Sequence, residues 1–182
     1  MEMVAWLAGE AHSDEPECAC PVLAALVRAC NDSMSDHSRN EHLRPLVPQL
    51  VHTRATATVE KMRGILAIDC LVRWLMPRWL DRHHRSDEAR LLREMRPIER
   101  MSHVRAATRV ITTYAGDHRA TQWVLDRSLE GVPAARYVAG VVQLARALND
   151  SETWREMAAL ASRMAAARIP TTRSQQADEA TH

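Results

Sequence analysis

The 182-residue chain contains no phenylalanine, only two tyrosines, five glycines, and a single lysine, Lys61, beside 23 arginines. The scarcity of glycine and of aromatic residues, with many Ala, Leu, Arg and Glu, favours helix over sheet. No sustained period-two alternation occurs, and no Asn-Gly or Asp-Gly pair marks a hairpin. Nowhere do roughly eighteen apolar residues run without charge, so no membrane-spanning helix is expected. The first residues lack a basic segment, and the apolar run Met3–Ala8 is too short for a signal-peptide core. The chain is therefore expected in the cytoplasm, with Cys18, Cys20, Cys30 and Cys70 as free thiols. Also missing are a phosphate-cradling loop, a nucleophile elbow, kinase signatures and a zinc-protease helix. Their absence leaves open whether the protein is an enzyme, and no cofactor is implied.

What is present suits one helical domain. The chain is 46% hydrophobic and 26% charged, with a formal net charge of +1. It can bury a core, and its neutral balance argues against a general nucleic-acid or membrane-surface binder. The arginine bias by itself needs no more than a GC-rich coding genome. The expected fold is all-α: an irregular bundle of six to nine helices over residues 1–170, with a disordered tail over 171–182.

Glu2–Gly9 reads as a short helix stopped by glycine. Pro21 opens a helix striped by Val22, Leu23, Leu26, Val27 and Cys30. Short helices follow over 35–42 and 45–51. Thr56 or Thr58 then caps the most apolar helix, predicted through Leu75 and central to the bundle. Pro77 is expected to kink or end it. Further helices are predicted over 87–95, from Pro97 through Tyr114 or beyond, over 134–148, and from a cap at Asp150 or Ser151 to Pro170.

Three features carry possible chemistry. His12, Cys18 and Cys20 offer thiolate and imidazole ligands for zinc, and Cys20 lies at a helix N-terminus, which would favour its thiolate. The spacing fits no familiar structural zinc site, and the bland reading is ordinary loop and cap residues. Asp69 lies inside the most apolar helix. There it is expected to be buried and paired with Arg73, four residues on. Residues 73–109 carry ten arginines against five acids, while residues 1–27 carry five acids and no Lys or Arg. Arg78, Arg82 and Arg85 are placed on one face, and Arg93, Arg96 and Arg100 on another if the helix survives Pro97. With Trp79, these residues form the candidate binding surface. The bland reading is a solvated face with internal ion pairs.

The segments Cys20-Pro21-Val22-Leu23-Ala24-Ala25, Asn31-Asp32, Leu43-Arg44-Pro45-Leu46-Val47-Pro48 and Thr53-Arg54-Ala55-Thr56, with Asp69 before Trp74, Pro77 and Trp79, resemble the N-terminal half of a group of uncharacterised bacterial proteins. The resemblance covers roughly residues 6–80. It implies a helical protein and no known activity. The function expected from the sequence is a non-catalytic helical interaction protein, an adaptor or accessory subunit that binds another protein or itself, without a membrane. The alternatives are a thiol- or metal-dependent sensor or enzyme using Cys18, Cys20 and His12, and a nucleic-acid binder using residues 73–109.

Overall fold

A computed structural model describes residues 1–100, 102–103 and 136–168, and these are all-α, with no strand among them. The elements are α1 (Glu2–Leu7), α2 (Pro21–Asn31), α3 (Asp36–Ser38), α4 (Val47–Leu50), α5 (Ala57–Cys70), α6 (Met76–Arg82), α7 (Ser86–Glu94), α8 (Arg136–Leu148) and α9 (Ser151–Ala166). Two π-helical turns, Arg39–Leu43 and Leu71–Leu75, lead into α4 (through the 3₁₀ turn Arg44–Leu46) and α6. The expected tail over 171–182, Trp123 and the predicted Pro97 helix past residue 103 lie outside the described residues, while residues 97–99 of that predicted helix are non-helical.

Helix α5 packs against α2, α8 and α9 and forms the middle of the bundle. Its residues Val59, Ile65, Ala67, Ile68 and Cys70 are buried. All but Val59 join Leu23, Leu26 and Cys30 of α2 and Met157, Leu160 and Met164 of α9 in one continuous core. Burying each such side chain contributes about 1.5–3 kcal/mol, which offsets the chain entropy lost on ordering the helices. Gly9, at φ +73°, and Asn149, at φ 44°, follow α1 and α8 in the left-handed conformation that commonly ends helices.

Pro77 does not end the central helical path. The helical path runs from Ala57 to Arg82, and the π-turn at 71–75 sits immediately before the proline. Proline lacks the N–H that a regular helix would direct at the carbonyl four residues back, and its ring crowds that carbonyl. The π-turn changes the pattern locally: the Met76 N–H is donated to the Leu71 carbonyl, five residues back. Pro77 then falls in the first turn of α6, where a missing N–H is tolerated. The predicted grouping of Arg93, Arg96 and Arg100 also needs correction. Helix α7 ends at Glu94, and residues 96–99 are non-helical, so the three arginines share no helical face.

Candidate functional site

The acidic loop after α1 is built by its own carboxylate. Glu10 accepts the N–H groups of Glu17 and Cys18, both at 2.7 Å. The Cys20 N–H is donated to Thr53 Oγ1 at 3.1 Å, and that hydroxyl is donated to the Leu50 carbonyl at 2.7 Å. Cys18 and Cys20 are thus splinted to the 50–54 loop. His12 turns outward to Glu2 at 3.3 Å. Among the described residues no three His, Cys, Asp or Glu side chains form a group able to hold a metal ion. Cys20 is fully buried, and burial, with smaller contributions from Glu10, pushes the Cys18 thiol up. Cys30 is likewise pushed up by burial, to about 12, and Cys70 is raised by the same cause. Thiols held protonated are poor nucleophiles and poor metal ligands.

Asp69 and Arg73 do form an ion pair, at 3.3 Å. The expectation of burial is corrected: the side chains are 27% and 29% exposed, because the pair faces the segment after α7 and not the core. Asp69 Oδ1 accepts the Ile98 N–H at 2.8 Å, which pins that segment against α5. The destabilisation expected of Asp69→Ala is therefore set by one charged hydrogen bond, about 2 kcal/mol, and by a half-exposed pair worth about 0.5 kcal/mol. Urea unfolding of Asp69→Ala and Asp69→Asn checks this; a loss above about 4 kcal/mol would mean the carboxylate is fully buried after all.

The arginine-rich segment is largely committed to internal partners. Arg78 pairs with Asp150 at 3.2 Å and Glu152 at 2.9 Å, and lies over the Trp74 ring at 4.7 Å. Arg82 is donated to the Leu148 carbonyl at 2.6 Å and pairs with Asp150. Arg85, the residue preceding α7, pairs with Glu88 at 3.0 Å, and Arg93 pairs with Asp81. Trp79 stacks on His83, ring centroids 3.9 Å apart. Arg96 and Arg100 are exposed, and Arg100 Nε bonds His103 Nε2 at 2.9 Å. The structure joins α6 to the start of α9 through Arg78, Arg82 and Asp150. It does not assemble the seven predicted surface residues into one patch of unengaged charge.

Asp150 is the junction of that network. It caps α9 by accepting the Thr153 N–H at 2.7 Å while receiving both guanidinium groups. Burial pushes its carboxyl up, but the Thr153 bonds and Arg78 outweigh that and hold it below the usual carboxylate range.

Two residues matter that sequence reasoning passed over. Arg63 is fully buried. Its guanidinium is donated to the carbonyls of Met164 at 2.8 Å, Thr53 at 2.5 Å and, more weakly, Ala167 at 3.4 Å. No carboxylate neutralises it among the described residues. Two of its acceptors are carbonyls at the C-terminus of α9, where the helix dipole places partial negative charge, and Arg63 adds to the bonds they accept from the Ala167 N–H and from Arg168. The second is Trp6, 75% exposed, with Met3 and Leu7 also exposed. Spacings of three and four put the three on one side of α1, while Val4 and Ala5 face the core.

No family model matches the chain, and no curated protein or solved structure matches it. No described helix is long and apolar enough to cross a membrane.

Proposed function

We propose that the protein is a non-catalytic helical interaction protein whose contact surface is the outward face of α1. The observation that carries this reading is the exposure of Met3, Trp6 and Leu7 together. An exposed apolar patch costs solvation unless something covers it, and tryptophan dominates contact hot spots. The arginine segment supports a contact surface less well, because Arg78, Arg82, Arg85 and Arg93 already have carboxylate partners.

The occupant that fits is a partner protein presenting a short amphipathic helix bordered by Lys or Arg. Glu2 opens α1, Glu10 follows the helix by three residues, and residues 1–27 hold five acids and no Lys or Arg. Pairing two α1 helices would bring the acidic N-terminal segments of both copies together, which like-charge repulsion opposes. A basic-bordered helix gains on both counts.

Site-specific photo-crosslinking in cells tests this, with a photoreactive phenylalanine placed at Trp6 or at Arg96. A discrete adduct from position 6 to a different protein, absent from position 96, is expected. Adducts from position 96 alone would move the surface to the arginine segment, and an adduct to a second copy of the chain would refute the choice of partner.

A further inference from the structure

A cavity of about 380 Å³ lies between α1, α2, the first π-turn and α4. That volume falls in the range of small-molecule sites, which pair an apolar lining with a few placed polar groups. Val4, Val27, Leu43 and Leu50 line it and are each at most 7% exposed, so they form its floor. Arg39 and Arg44 line it from the more exposed side. Among the described residues no carboxylate lines it.

The π-turn brings the two arginines there together. The Arg44 N–H is donated to the Arg39 carbonyl, five residues back, closing one wide turn. In a regular α-helix, at 3.6 residues per turn, residues five apart would point about 140° away from each other. Such π-turns recur at functional sites. Arg39 is steadied by Asp36 and by the Asn31 carbonyl at 3.3 Å. Among the described residues no hydrogen bond or ion pair engages the Arg44 side chain. The cavity thus has an apolar floor, one arginine already paired with Asp36, one unengaged arginine and, among the described residues, no carboxylate in its lining.

We infer that this cavity binds a medium-chain aliphatic carboxylate. The tail lies over Val4, Val27, Leu43 and Leu50, and the carboxylate accepts hydrogen bonds from Arg44. A planar guanidinium suits a carboxylate because its N–H groups match the two oxygens. Met3 of the proposed α1 contact surface also lines the cavity, so the two adjoin, but ligand binding to the isolated chain is read without any partner protein.

Titration calorimetry tests it with decanoate and decyltrimethylammonium below their micelle concentrations, decanol below its solubility limit, and acetate. Decanoate is expected to bind saturably at one site per chain. Decanol and decyltrimethylammonium should bind at least tenfold more weakly, and acetate not at all. Arg44→Gln, at an exposed position, should melt like the parent protein and weaken decanoate at least tenfold. Val47→Trp, which fills the cavity from α4, should abolish binding. If Val47→Trp does not fold, Arg44→Gln decides alone. Equal affinity for decanoate and the ammonium, unchanged affinity in Arg44→Gln, or no saturable decanoate binding would each overturn the inference.

Discussion

Arg63→Ala is expected to unfold the protein at temperatures where the parent is native, with a loss of about 3–5 kcal/mol. The substitution removes a side chain that is fully buried, leaves the Thr53 carbonyl without its donor and leaves the Met164 carbonyl with only the Ala167 N–H. It also opens a cavity between α5 and the end of α9. A domain of this kind has only about 5–15 kcal/mol to lose. Two further variants separate the contributions. Arg63→Met keeps much of the volume and removes the charge, so its cost reports the stranded carbonyls. Arg63→Lys keeps the charge but replaces the planar fork with a single ammonium, which cannot reproduce donors on three separate nitrogens. Lys should fall between Arg and Ala. Urea midpoints followed by circular dichroism measure all three. A change within about 0.5 kcal/mol for Arg63→Ala would mean that the guanidinium is not buried.

Asp150→Ala should produce the second-largest effect, roughly 2–4 kcal/mol. It removes the cap of α9, worth about 0.5–2 kcal/mol, and a carboxylate that accepts from Arg78 and Arg82, at about 1.5–3 kcal/mol per charged bond. The Arg78 side chain is 24% exposed, so losing its partner leaves a half-buried guanidinium facing Glu152 alone. Asp150→Asn retains the cap and loses the charge, and should cost less. The pH dependence has a definite sign. The folded-state pKa of Asp150 is depressed, so its contribution is present above the ordinary carboxylate value of about 4 and fades as pH falls through the lower folded value. Melting curves between pH 7 and pH 2.5 should show the gap between parent and Asp150→Ala closing at the acidic end. A gap that widens on acidification would contradict the pairing.

Much of the helical layout is legible in spacing alone. Val22, Leu23, Leu26, Val27 and Cys30 define the buried side of α2, and Met157, Leu160, Ala161 and Met164 that of α9. The site residues were harder to read, for physical reasons. A charged residue on an apolar helix must find a partner, and that rule was applied to Asp69. It holds with more force for Arg63, which lies four residues from Val59, four from Ala67 and seven from Cys70, all buried. The stripe therefore carried the signal for a buried arginine. What it could not carry was the identity of the acceptors, since they are main-chain carbonyls, one in the loop before α5 and two about a hundred positions away. The continuity through Pro77 was hidden because a π-turn depends on hydrogen-bond pattern and has no composition of its own. The outward side of α1 was equally silent, because a six-residue helix is too short for periodicity to say which side is covered.

The long reach of Arg63 has a consequence for how the molecule is made. A chain leaving the ribosome exposes residue 63 well before it exposes residue 164. During that interval α5 carries a cation that water must hydrate, on the very side that later becomes dry. The N-terminal helices cannot lock around α5 while that cation needs water, so their final packing waits for α9 to arrive. A fragment released before Met164 would keep its central helix wet, and this bundle closes in one late step instead of module by module.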